Sequence, residues 1–573
     1  MEETSTSKFR DNTETIFRWT LYVTGAIIFF VIFLVVVYPS ITLVKNSFMA
    51  DGHFSIQNYT ALFSESRTFT LFRNTFSVAF LGAIGATFLG ILVSWLLART
   101  DIPFKRFWQI ALIVPYLIPP FIGGIAWVYL LGPVGFLNKF WMALTQSNQP
   151  LWIIYGRWGI VFVMMLYSYP IAYMVTLGPL KQMNPSLEEA AQISGAGTLR
   201  TLRDITAPLM LPSIGGSALL IFMSMMANFG IPAVIGFPKR YYVMTTQIYL
   251  NILNFDKANN LQLAAALSML LVVLAILTMQ AQRLLQRGKS YAIISGKSSQ
   301  PQLIQLGWKK YIAVAFLFLI VLCTVILPVL AIFATSLVKA VGLPFTLENL
   351  SFAHYERLLF EVPKVSRAIK NSMLLAGGSA SVIVFISLVI SYMTVKMKIR
   401  GGQVLESLVL LPYAVPGVVV ALAMILAFLK PIPLLNLTIY NTIWILLVAY
   451  IARFLTFGVR SISAAFEQVH ESLEDAARIS GADFLTAYKD IVIPLIKTNV
   501  FAGWFLAFMP ALTELTLSIL LFSVGNETLG TVVYGLHQEG KIGLTAALAF
   551  MVVVIVVTLN MITNKVTKGQ LGF

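Results

Sequence analysis

Apolar runs long enough to cross a bilayer recur along this chain, and they leave little freedom of architecture. Crossing about 30 Å of hydrocarbon takes roughly 20 helical residues, and lipid offers the backbone no partners, so each crossing must satisfy its own hydrogen bonds. Six such runs lie at Trp19–Leu43, Leu71–Leu97, Trp108–Leu131, Gly159–Gly178, Leu209–Ile235 and Leu261–Met279. Six more lie at Tyr311–Phe333, Asn371–Val395, Gln403–Phe428, Thr442–Phe457, Leu495–Phe522 and Gly543–Thr563. Thr442–Phe457 is short as drawn and is expected to extend at each end. The predicted fold class is therefore all-α: a polytopic transmembrane helical protein of twelve spans. Charged residues make up only 11% of the chain, against about 25% in soluble domains.

The 40 Lys and Arg outnumber the 24 Asp and Glu, but they flank the spans as anchors and topology signals beside membrane lipid. No nucleic-acid partner is expected. Arg99, Lys105 and Arg106 follow the second span, Arg200 and Arg203 the fourth, and Lys396, Lys398 and Arg400 the eighth. Lys239, Arg240, Arg367 and Lys370 lie on the other side, yet the balance places both termini in the cytoplasm. The expected organisation is a cytoplasmic tail over 1–18, a first transmembrane domain over 19–282, a basic linker over 283–310, a second transmembrane domain over 311–563 and a cytoplasmic tail over 564–573. The polar start, Met1–Arg18, shows no small-residue cleavage site before the first apolar run, which reads as a retained span. Cys323 is the only cysteine, and His53, His354, His470 and His537 are scattered. Neither a disulfide nor a metal site is expected, and no cofactor.

The two sets of spans repeat each other. Ser186-Leu187-Glu188-Glu189-Ala190-Ala191-Gln192-Ile193-Ser194-Gly195-Ala196 is matched, 286 residues on, by Ser472-Leu473-Glu474-Asp475-Ala476-Ala477-Arg478-Ile479-Ser480-Gly481-Ala482. Pro208 and Pro494 follow at the same offset. Val114-Pro115-Tyr116-Leu117-Ile118-Pro119 is matched by Leu411-Pro412-Tyr413-Ala414-Val415-Pro416 at an offset of 297. An even number of spans separates the copies, so the halves are parallel six-helix repeats related by an axis along the membrane normal.

Each matched loop between the fourth and fifth spans of its half is polar and rich in helix formers. Glu188 and Glu189 suit a helix N-terminus, Leu187–Ala191 has high helix propensity, and Gly195 permits a tight turn. The product is a helical knob at the cytoplasmic surface, fit for a partner's groove; an ordinary connecting loop would not need to be repeated. The pattern Glu189-Ala190-Ala191, Gly195, Ile205 and Pro208, with Asp475-Ala476-Ala477, Gly481, Ile491 and Pro494 in the second copy, resembles the signature of permease subunits of binding-protein-dependent ABC importers of the type I fold. Ala207, Ile493 and Asp475 depart mildly from it. The resemblance implies that Glu188 and Glu474 with the motif residues form ATPase-coupling loops. The implied partners are two copies of an ABC ATPase and an extracytoplasmic solute-binding protein, with the chain in a bacterial inner membrane. Gly288-Lys289-Ser290 and Gly296-Lys297-Ser298 lack the leading glycine of a phosphate loop, so ATP hydrolysis is expected on another chain and this one is no enzyme.

For the pathway, the paired prolines Pro115 and Pro119, and Pro412 and Pro416, interrupt the third and ninth spans; they are moving gate kinks or fixed packing kinks. Glu514 lies inside the expected eleventh span, where an ionisable residue is costly and marks an aqueous path or a structural hydrogen bond. Its match in the first half is Asn228. Arg453 is expected to snorkel, and Gly82, Ala86 and Gly90 form a packing stripe. A fused double permease of this length resembles the ferric-iron branch, which implies ferric iron as solute. Aminoethylphosphonate, polyamine and thiamine are the alternatives within the class, and an ion-coupled secondary transporter is the alternative outside it.

Overall fold

The computed structural model describes residues 19–183, 185–254, 259–286, 303–340, 343, 345–432, 436, 438–482 and 484–566. The tail over 1–18, the two Gly-Lys-Ser triplets of the linker and the end of the chain from 567 lie outside the described residues. Among those described, eleven helices are long and apolar enough to cross a membrane, and the bent pair Gly402–Tyr413 and Gly417–Phe428, taken as one broken span, makes twelve. The all-α polytopic class is therefore observed.

By packing, the chain divides into two compact units. Of the described residues, one gathers those within 19–55, 362–532 and 559–566; the other gathers those within 56–361 and 533–558. In the first unit the opening span, Trp19–Ser47, leaves its own repeat and packs on Gly417–Phe428 of the other, where Tyr38 Oη donates to the Ala427 carbonyl at 3.3 Å. In the second unit the reciprocal exchange occurs: Leu327–Leu337 packs on Pro120–Leu131, and the Phe333 and Phe550 rings meet at 4.8 Å. An apolar helix face in lipid has no hydrophobic preference for one neighbour over another, so shape and small residues decide such packing.

The small-residue stripe acts in this way. Ser66–Arg99 lies along Arg157–Gln182, and a Cβ at Gly90 would come within 2.6 Å of both Ala172 Cβ and the Tyr169 carbonyl oxygen. Ala86 is fully buried, and Gly82 abuts Met225. Four residues past Gly90, Ser94 Oγ and Thr176 Oγ1 meet at 2.7 Å across the same pair of helices.

Matching residues pin each half beside its fifth span. Thr75 Oγ1 accepts from the Met244 N–H at 2.8 Å, and Asn74 donates to the Tyr242 carbonyl. In the second half Ser372 Oγ accepts from the Leu529 N–H at 2.8 Å, and Asn371 donates to the Gly525 and Glu527 carbonyls.

The expected spans Leu209–Ile235 and Leu495–Phe522 are shorter as helices, ending at Ala227 and Leu512. The cause is a side chain that takes over a backbone bond. Asn228 Oδ1 accepts from the Ile231 N–H at 3.1 Å, and Glu514 Oε1 from the Leu517 N–H at 2.8 Å. Each diverts a donor three residues on and restarts the chain in a new direction, the logic of an N-cap.

Candidate functional site: two latched loops and two broken helices

Pro185–Ile193 and Glu471–Ile479 form short helices at matched positions in the two loops. Their ends explain the glycines. Gly195 and Gly481 have φ of +84° and +98°, and the following residue closes back: Ala196 N–H on the Ala191 carbonyl at 2.9 Å, Ala482 N–H on Ala477 at 3.0 Å. This six-to-one bond is the Schellman closure, which needs a left-handed residue at the glycine. A Cβ at either glycine would meet nothing within 4 Å, so the requirement is conformational, not steric.

The loop then re-enters the membrane through a widened turn. Leu202–Thr206 and Tyr488–Val492 are π-helical turns, and the Ala207 and Ile493 N–H groups reach back five residues to Leu202 and Tyr488. Pro208 and Pro494 stand immediately after. Proline has no N–H and its ring collides with the carbonyl four residues back, and a widened turn relieves both problems. Ile205 and Ile491 sit half-buried within these turns, while Pro208 and Pro494 are exposed.

Inward of each helix lies an ion pair that sequence reasoning missed. Arg99, buried at the end of the second span, donates from Nη2 to Glu188 Oε2, and Thr206 Oγ1 donates to the other carboxylate oxygen at 2.7 Å. In the second half Lys396 Nζ meets Glu474 Oε1 at 2.7 Å and donates to the Val469 carbonyl at 2.9 Å. Arg99 and Lys396 are 297 residues apart, and Glu188 and Glu474 are 286 apart, the same offsets that relate the two repeats. Each loop is thus latched to the second span of its half by equivalent charges. The signal in the sequence was that shared offset, hidden because a cation at a span end also reads as a topology marker.

With Glu188 and Glu474 turned inward, large apolar side chains lead the outward surface. Ile193 and Ile479 are each 88% exposed, and Leu187 and Leu473 are 47% and 43% exposed. Ala190 and Ala476 are exposed between them, Ala191 and Ala477 half-buried, and Glu189 is half-buried where Asp475 is exposed. The matched isoleucines are thus equally exposed in the two halves.

Deeper in the membrane each half has a second break. Pro119 and Pro416 cap the restarted helices Pro120–Leu131 and Gly417–Phe428, their carbonyls accepting from Ile122 and Gly123, and from Val419 and Val420. Pro115 and Pro412 are buried one turn earlier. The carbonyls freed by these breaks are satisfied by the neighbouring span: Tyr169 Oη donates to Leu112 at 2.8 Å, and Thr456 Oγ1 to the matched Val409 at 2.9 Å. Arg453 does not snorkel. Its Nη1 donates to the carbonyls of Pro412 and Val415. The first half has no such charges: Tyr167 stands opposite Arg453 in the repeat and Asn228 opposite Glu514. Arg453→Met should therefore lower stability by about 1–3 kcal/mol, because the Pro412 and Val415 carbonyls lose their donor. Fluorescence-detected unfolding of the detergent-solubilised chain measures it, and Tyr167→Phe should change little by comparison.

A duplicated twelve-span frame carrying the same latched loop twice defines a permease built of two homologous halves. The family of binding-protein-dependent transport system inner membrane components matches residues 86–291 and again residues 362–568, and the chain belongs to it. The ferric transport system permease protein FbpB of Actinobacillus pleuropneumoniae is 27% identical over 549 residues, covering 94% of this chain and 77% of the relative. The putative ferric transport system permease protein FbpB 1 of Haemophilus influenzae is 28% identical over 508 residues, covering 87% and 77%. The putative 2-aminoethylphosphonate transport system permease protein PhnU of Salmonella typhi is 27% identical over 190 residues, covering 33% and 65%.

Proposed function

We propose that the chain is the permease component of an ATP-driven importer, most consistent with ferric iron as its solute, in a bacterial inner membrane with both termini cytoplasmic. Its two coupling loops each dock one copy of an ABC ATPase, and an external binding protein delivers the solute. The observation that carries the ATPase reading is the pair of latched helices with Leu187, Ile193, Leu473 and Ile479 turned outward at equal exposure. Two equivalent apolar knobs suit two equivalent grooves. Around them, Glu189, Ala190, Ala191, Gly195, Ile205 and Pro208, and Asp475, Ala476, Ala477, Gly481, Ile491 and Pro494, shape the knob and its return to the membrane. Glu188 and Glu474 hold it.

The breaks at Asn228 and Glu514 and the prolines Pro115, Pro119, Pro412 and Pro416 are assigned to the path and its gate. They are the places where backbone leaves the helix at membrane depth, which is tolerated only inside protein or along a cavity. Iron is supported by relatives named for ferric transport that match along most of this chain, whereas the aminoethylphosphonate relative matches a third of it. The test is ligand identification on the cognate binding protein by metal analysis and mass spectrometry. Tight ferric iron is the expected result; an organic solute in its place, with no iron retained after iron loading, would refute the iron assignment while leaving the importer class intact.

A further inference from the structure

The second packing unit contains a cavity of about 430 Å³ that the transport reading does not use. Three stretches close it: the connection after Pro120–Leu131, the connection after Leu327–Leu337, and the turn before Ile542–Val566. Each follows or precedes a span on the side reached after an odd number of crossings, whereas the first coupling loop follows an even number. The cavity thus opens on the face away from that loop.

Its polar lining has one sign. Lys139, Lys339, Arg357 and Lys541 contribute four cations, and among the described residues no acidic side chain lines it. Two acids stand nearby: Glu539 pairs with Lys541 at 2.7 Å and Glu361 reaches Arg357 only at 3.9 Å. Lys339 is held by the backbone carbonyl of Glu348, not by a carboxylate. The Lys139 ammonium has no ion-pair or hydrogen-bond partner among the described residues. His354 and His537 complete the polar wall, and the Nδ1 atom of each is buried without a partner among the described residues. His354 is oriented by its Nε2, 3.1 Å from the Val338 carbonyl. Burial pushes the His537 imidazole down to about 4, so near neutral pH it presents a neutral ring.

A metal cation would be repelled by four positive groups, although two imidazoles alone would suit it. An anion reverses every sign. The volume exceeds that of a bare inorganic ion and falls at the lower end of small-molecule sites. We propose that this cavity binds a small soluble multivalent oxyanion, of the carboxylate or phosphate class, on the external face, with Lys139 and Lys541 as its principal charged contacts. The assignment goes beyond the importer reading and is independent of iron, since oxyanion binding is read without transport.

The test uses the full chain in phosphatidylcholine nanodiscs, titrated calorimetrically with citrate and with inorganic phosphate at low salt. Saturable citrate binding is expected, weakened about tenfold or more by Lys139→Gln and again by Lys541→Gln, as loss of a charge-assisted contact requires. Unchanged size-exclusion behaviour and unfolding temperature of the variants confirm that they fold. Absence of saturable binding for both anions, or equal affinity in the doubly substituted chain, would overturn the proposal. So would loss of citrate binding when phosphatidylglycerol is added to the nanodiscs, which would give the cavity to a lipid headgroup.

Discussion

Replacing Ile193 and Ile479 together with Asp is expected to abolish solute uptake and release the ATPase subunits, while the permease still inserts and folds. Both side chains are 88% exposed and pack against nothing that folding needs, so the substitutions leave the fold untouched. In the proposed complex each isoleucine enters an apolar groove, a burial worth about 1.5–3 kcal/mol. Asp forfeits that gain and adds the cost of desolvating a carboxylate. Over two loops, the combined loss is on the order of 6 kcal/mol or more, about four decades in affinity. Each single substitution should cost roughly half as much, because the matched loops present the same anchors. Co-purification with the ATPase and solute-stimulated ATP hydrolysis read the effect directly. Wild-type stimulation in the double variant would contradict a docking role for these loops.

The second large effect lies one layer inward. Glu188→Gln leaves Arg99 buried, 2% exposed at its side chain, without a carboxylate. Removing one member of such a pair costs about 3–5 kcal/mol, which should appear as a lower unfolding temperature. If the pair were only a staple, the loss would stop there. As a latch that carries motion from the ATPase to the second span, it predicts more: ATP hydrolysis that persists while uptake per ATP falls. Lys396→Met should act alike in the second half, and Lys396→Arg should retain coupling because the charge survives. The exchange Arg99→Glu with Glu188→Arg should recover part of the lost coupling. Coupling ratios equal to wild type in every single variant, despite lowered stability, would reduce the latch to a staple.

Much of this architecture was legible in the residues, for identifiable reasons. Hydropathy marks crossings because lipid penalises any unsatisfied backbone, and the two apolar sets carried the twelve-span frame. The duplicated loops were legible because their glycines and prolines have backbone duties: Gly195 and Gly481 close helices, and Pro208 and Pro494 demand a widened turn. The partners of charged groups were not. Arg99 and Lys396 at span ends resemble ordinary interfacial cations, and Arg453 resembles a residue reaching for the membrane surface. Only the fold shows that they hold Glu188, Glu474 and the carbonyls of Pro412 and Val415. Glu514 was expected inside a continuous helix. Hydropathy averaging cannot register a side chain that captures the Leu517 N–H and ends the helix at Leu512. The exchange of first spans between repeats was equally invisible, since an apolar face does not name its neighbour.

Vectorial transport driven by separate ATPases is the central claim, and reconstitution tests it most directly. Proteoliposomes holding this chain and its ATPase, with iron-loaded binding protein outside and ATP on the ATPase side, are assayed for radiolabelled ferric iron accumulation under dissipated proton and sodium gradients. The account predicts accumulation that requires ATP, the ATPase and the binding protein together, and that vanishes when Ile193 and Ile479 are both Asp. Accumulation by the permease alone, driven by an imposed ion gradient and indifferent to ATP, would contradict it.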